Sequence, residues 1–123
     1  MTEQTKIRYQ HPEQGEIFLK LNPDERECLD SALHSLDVEM GLFINMAFKW
    51  GRANHPEVNR EVTDRHKRKI RRAPDRTEKI KQEANEVLLK RRVMDFAEFV
   101  TTENPDSEWL AGNGELEMWG DLA

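Results

Sequence analysis

Residues 16–22 read E-I-F-L-K-L-N, and this short alternation constrains the chain more than any other stretch. Ile17, Leu19 and Leu21 fall on one side of an extended backbone, with Glu16, Phe18 and Lys20 on the other. That period of two marks a strand with one buried face. A lone strand leaves its backbone donors and acceptors open, so it needs a partner. Helix follows it. Asn22 is a good N-cap, Pro23 suits the first helical position, and Asp24 and Glu25 complement the positive end of the helix dipole. Leu29, Ala32, Leu33 and Leu36 then recur at i, i+3, i+4 and i+7, one apolar stripe, with Cys28 beside it as a small packed thiol. After a break at Leu36–Glu39, a second stripe holds Phe43, Ile44, Ala47 and Trp50, widened by Leu42 and Met46, and Gly51 is placed to end that helix. One strand and two short helices do not close a core. Dimerisation would give the strand its partner and the second helix its cover.

Residues 16–51 resemble the ribbon-helix-helix family of small bacterial and phage DNA-binding proteins. The resemblance rests on the strand I-F-L-K-L, the helix start N-P-D-E, Leu29 and the run L-D-V-E-M-G-L-F-I-N-M-A-F-K-W-G, and covers about a third of the chain. It implies a homodimer formed by antiparallel pairing of the strands, whose two-stranded ribbon enters the major groove of double-stranded operator DNA. Carried over by position, Glu16, Phe18 and Lys20 would face DNA. Ile17, Leu19, Leu21, Phe43, Ile44, Ala47 and Trp50 would form the dimer interface. Two features depart from the family pattern. Lys20 suits guanine or phosphate and Phe18 a thymine methyl, whereas phosphates repel Glu16 unless it accepts from a cytosine amino group. Asp37 stands where glycine is usual, and together with Glu39 it competes for backbone donors that would otherwise grip phosphate.

Charge is segregated. Residues 1–59 carry 6 Lys+Arg against 10 Asp+Glu, residues 60–92 carry 13 against 6, and residues 93–123 carry none against 8. The densest basic run, R-H-K-R-K-I-R-R, offers Arg65, Lys67, Arg68, Lys69, Arg71 and Arg72 to a nucleic-acid backbone. It has no interleaved aromatic, which argues against single-strand binding. The run lies in a polar helix expected from Glu57 to Arg72, its thin stripe made of Val58, Val62, His66 and Ile70. Residues 51–56 read as linker. Pro74 breaks the pattern and Asp75-x-x-Glu78 restarts it as a capping box, opening a helix to about Thr101 with Ile80, Ala84, Val87, Leu88 and Arg91 on one face. Phe96, Phe99 and Val100 form an offset patch. The acidic end carries Trp109, Leu116 and Trp119, so Phe96, Phe99, Trp109, Leu116 and Trp119 are the candidate partner-binding residues.

Only 37% of residues are hydrophobic and 35% are charged, so any core is small or is completed by a second chain. No apolar run approaches the roughly 18–20 residues of a membrane span. The start M-T-E-Q-T-K-I-R-Y-Q lacks the apolar stretch of a secretory signal, so a cytoplasmic, non-membrane protein is expected. A single cysteine excludes an internal disulfide and a cysteine-rich zinc site. His11, His34, His55 and His66 have no metal-site spacing, and no glycine-rich phosphate loop is present. No nucleophile lies near a base in sequence. No catalytic residue, metal or cofactor is expected.

The fold expectation is a mainly α protein with four parts. These are a flexible arm (1–15), a ribbon-helix-helix module (16–51), a basic linker and helix (52–74), and a helix with an acidic tail (75–123). The function expectation is a dimeric repressor of antitoxin type, whose residues 93–123 bind a toxin or another basic protein. The alternative is a phage- or plasmid-encoded inhibitor of a host nucleic-acid-binding complex, such as a CRISPR effector, working through its acidic surface. A plasmid relaxosome or partition accessory protein is a third, lesser option.

Overall fold

The strand finds its partner within its own chain. The computed structural model describes residues 5–11 and 15–105. In it β1 (Thr5–His11) pairs antiparallel with β2 (Gly15–Leu21), His11 opposite Gly15 and Thr5 opposite Leu21. The sequence reading places Thr5–His11 in a flexible arm, and the structure corrects this. Ile7 and Tyr9 sit across from Leu19 and Ile17, so the two apolar faces coincide. The strands are joined through Gly15 at φ +77, a conformation that glycine adopts without a Cβ penalty.

Four helices follow: α1 (Pro23–Leu36), α2 (Met40–Asn54), α3 (Glu57–Arg72) and, after a 3-10 turn at Pro74–Arg76, α4 (Thr77–Glu103). The chain thus has a two-stranded sheet followed by two helices over its first half and is mainly helical. The α1 start is the one expected. Asn22 Oδ1 accepts from Glu25 N–H at 2.8 Å, and Glu25 reaches back to the Asn22 N–H at 2.9 Å, a complete capping box. Asp37 ends α1 in the left-handed region at φ 55, the conformation for which glycine is preferred.

The core is assembled around α4, which packs on α1, α2, α3 and β2. Leu89, Val93, Phe96, Ala97 and Val100 of α4 meet Leu29, Ala32 and Leu36 of α1, Phe43, Ile44 and Ala47 of α2, and Ile17, Leu19 and Leu21 of β2. Phe43 and Phe96 lie 5.1 Å apart between ring centres, and Trp50 lies 4.9 Å from Phe99. The cover that the sequence reading seeks in a second copy is therefore α4. Ile17, Leu19, Leu21, Phe43, Ile44 and Ala47 are buried within one chain, with Trp50 half-buried on the same core.

Helix boundaries and faces differ from expectation for identifiable reasons. Gly51 does not end α2, which runs on to Asn54. Gly51 is instead where Arg92 of α4 crosses α2, and a Cβ there would meet Arg92 Cδ at 2.6 Å. No Asp75–Glu78 capping box forms. Residues 74–76 make the 3-10 turn, Arg76 occupies the N-cap without a side-chain bond, and Thr77 Oγ1 donates to the Pro74 carbonyl at 2.6 Å. On α4 Ile80 is buried and Ala84 and Leu88 half-buried as expected, but from Leu89 the buried face is Leu89, Arg92, Val93, Phe96, Ala97 and Val100, rotated from the expected one, so Val87 and Arg91 are exposed. The C-terminal half of α4 is gripped by α1 and α2 together, and a single stripe drawn from its N-terminal half drifts off that contact.

Candidate functional site

The register of the hairpin sets out its outer face. Lys6 lies opposite Lys20, Arg8 opposite Phe18 and Gln10 opposite Glu16. Alternation that buries Ile17, Leu19 and Leu21 turns these six side chains away from the core. Arg8 Nε sits 3.3 Å from the Glu16 carboxylate, a diagonal cross-strand pair that answers Glu16's negative charge. Lys6 Nζ lies 4.0 Å over the Phe18 ring. The sequence reading includes Glu16, Phe18 and Lys20 but misses Lys6, Arg8 and Gln10. Their signal was the alternation with Ile7 and Tyr9, weak because only two apolar residues carry it.

The free edge of β2 is closed by α4. Glu86 accepts from the Phe18 backbone N–H at 3.4 Å and lies 3.9 Å from Lys20 Nζ. One edge donor of β2 is thereby paired with a carboxylate.

Helix α3 stands beside this ribbon. Its Val58 and His66 are buried, with Val62 and Ile70 half-buried, so the expected thin stripe does face the protein, mainly α4. Arg60, Arg65, Lys67, Arg68, Lys69, Arg71 and Arg72 are all exposed. None of the seven has an ion-pair partner among the described residues. Cations elsewhere are engaged: Arg26 with Asp30 at 3.0 Å, Lys90 with Glu25 at 3.1 Å and Arg91 with Asp95 at 3.0 Å. Like charges crowded on one helix repel one another, and an anionic partner would relieve that repulsion.

Beneath α3 lie two grooves, with His66 lining both. One, of about 400 Å³, is bounded by Phe18 and Lys20 of β2, Arg65 and Lys69 of α3, and Glu83, Glu86, Val87 and Lys90 of α4. The other, of about 870 Å³, runs between Glu16, Ile17, Thr63, Lys67 and Ile70 and the start of α4. His66 Nδ1 lies 2.8 Å from the Val62 carbonyl, so it must donate there. The buried Nε2 has no hydrogen-bond partner. Of the predicted basic residues, Arg65 and Lys69 share a groove with Phe18 and Lys20, Lys67 borders the other, and Arg68, Arg71 and Arg72 border neither.

The expected partner surface is divided. Phe96 is fully buried in the core, and Phe99 stacks half-buried on Trp50, so both pack within the chain. Trp109, Leu116 and Trp119 lie outside the described residues. Arg92, which the sequence reading does not single out, is the largest fully buried side chain among the described residues. Its Nη1 donates to the His55 carbonyl at 2.9 Å at the end of α2, while Nε and Nη2 have no partner. Burial holds its pKa below the usual arginine range, with nearby Arg52 acting in the same direction.

Among the described residues, no group of three or more His, Cys, Asp or Glu side chains is arranged to hold a metal ion, and no helix is long and apolar enough to cross a membrane. Comparison with family models, curated proteins and solved structures finds no match to this chain.

Proposed function

We propose that this protein is a DNA-binding regulator that holds the phosphate backbone on α3 while presenting the outer face of the β1–β2 ribbon to the nucleic acid. The observation that carries this reading is the set of seven exposed α3 cations without ion-pair partners among the described residues, beside a ribbon bearing Lys6, Arg8 and Lys20. Such a helix releases condensed counterions when it meets phosphates, and affinity then falls steeply with salt. The ribbon adds Arg8, Gln10 and Lys20, side chains able to meet base edges.

A repressor of antitoxin type fits this reading, with its protein-binding role assigned to residues 106–123, since Val93, Phe96 and Val100 are spent in the core. If the regulator works as a homodimer, the outer edge of β1 is the strand edge open for pairing, because β2 is bonded to β1 on one side and packs against α4 on the other.

The test is fluorescence anisotropy with the duplex upstream of the protein's own gene and a scrambled duplex, at two salt concentrations. Preference for the native site that survives added salt supports a specific regulator. Changing Arg68 and Arg71 to Gln should weaken both duplexes and flatten the plot of log affinity against log salt by about 0.9 for each phosphate no longer neutralised. Absence of duplex binding, or binding indifferent to these two changes, sinks the reading.

A further inference from the structure

The basic run contains no aromatic residue, which in sequence argued against unpaired bases. The fold supplies one from elsewhere. Phe18 of β2 lines the same groove as Arg65 and Lys69, which stand some fifty positions further along the chain. Val87, the one large hydrophobic exposed among the described residues, lines it too.

We propose that this groove takes single-stranded nucleic acid, with one base stacked on Phe18 and the adjoining phosphates held by Arg65 and Lys69. The proposal rests on the reading of α3 as a phosphate-binding helix and narrows it to a substrate class. Bases in a duplex already have both faces covered by their neighbours, so stacking on the face of Phe18 not covered by Lys6 is open only to an unpaired base. Helix α3 packs on α4 and not broadly on β2, which leaves the cleft open along its length. His66 also lines the larger groove, which carries Lys67, Lys79 and Lys81 together with Glu16 and Glu78. His66 Nε2, an acceptor in the neutral ring because Nδ1 donates to Val62, stands without a partner where a base amino group or a ribose hydroxyl would supply one.

The acids of the groove divide cleanly. Glu86 is engaged by Lys20 and the Phe18 N–H. Glu83 has no such partner among the described residues and opposes the phosphates. Glu83→Gln should therefore tighten single-strand binding.

The experiment measures anisotropy of the full chain with labelled oligo(dT), oligo(U) and a duplex of the same length, in the unaltered protein and in Phe18→Leu, Phe18→Trp and Arg68→Gln/Arg71→Gln variants. Circular dichroism verifies that each variant is folded. Phe18→Leu should weaken both single strands about five- to a hundredfold, the range one base–aromatic stack spans, weaken the duplex much less, and be rescued by Phe18→Trp. The Arg68/Arg71 pair, outside the groove, should weaken all three probes. If Phe18→Leu leaves single strands bound as before, or weakens the duplex equally, the single-strand proposal falls while the phosphate-binding reading of α3 stands. If no probe binds, both fall.

Discussion

Helices α3 and α4 are adjacent and both rich in Lys and Arg, yet they use that charge in opposite ways. In the second half of α4, Lys90, Arg91 and Arg92 are committed within the chain, to Glu25, Asp95 and the His55 carbonyl, while Lys79 and Lys81 near its start are exposed. The seven on α3 have no carboxylate partner among the described residues. The difference follows from burial. Helix α4 is wrapped by α1, α2, α3 and β2, where an unanswered charge costs most. Helix α3 rests mainly on α4 and leaves the rest of its surface to water. In this molecule the basic residues offered to a partner run from α3 to Lys79 and Lys81 at the start of α4, and those that build the fold lie in its second half.

The sharpest way to break that contrast is to damage each helix and ask what fails. Phe96 is fully buried between Phe43, Trp50 and Phe99. Phe96→Ala should cost about 3–5 kcal/mol in urea or thermal unfolding. Gly51→Ala comes next. Its new Cβ would fall 2.6 Å from the Cδ of the fully buried Arg92, and a destabilisation of about 1–3 kcal/mol is expected. The cost should shrink in an Arg92→Ala background, since the clash and the side chain then vanish together. Additive effects in that double-mutant cycle would show that Gly51 serves something other than the passage of Arg92. Arg68→Gln with Arg71→Gln on α3 should leave stability within about 0.5 kcal/mol, because both are exposed and unpaired among the described residues. A large destabilisation there would show that α3's charge is structural after all.

How much of this was legible in the sequence follows the same division. The elements that bury one clean face were readable: β2, the capped start of α1, the α2 stripe and the Val58–Ile70 stripe of α3 all stand where their periodicity puts them. Strand β1 was missed because only Ile7 and Tyr9 mark its inner face, and with it went Lys6, Arg8 and Gln10. The role of α4 was missed for a different reason. Its stripe Leu89, Arg92, Val93, Phe96, Ala97, Val100 follows helical spacing with an arginine at an apolar position, and a charged residue there reads as surface until the C-terminal carbonyl of α2 is seen beside it. That oversight made a second copy look necessary to close the core. The groove was beyond sequence reasoning, since Phe18 reaches Arg65 and Lys69 only through the way α4 carries both β2 and α3.

The smallest expected effect tests the committed side of the comparison by pH. Glu25 has its pKa held below the usual carboxylate value, first by the backbone N–H of Asn22 in the capping box and then by Lys90 of α4, while partial burial works against both. Its folded pKa is depressed relative to the unfolded chain. The stability it contributes is therefore present above its unfolded pKa, near 4.3, and is lost as pH falls through the lower folded value. Glu25→Gln keeps an acceptor for the capping box but removes the charge facing Lys90. In urea melts from neutral pH to about pH 3, the variant should start slightly less stable and lose less on acidification, so the two curves converge at the acid end. Parallel curves would mean that the α1–α4 ion pair adds nothing to stability and that the capping bonds alone fix the start of α1.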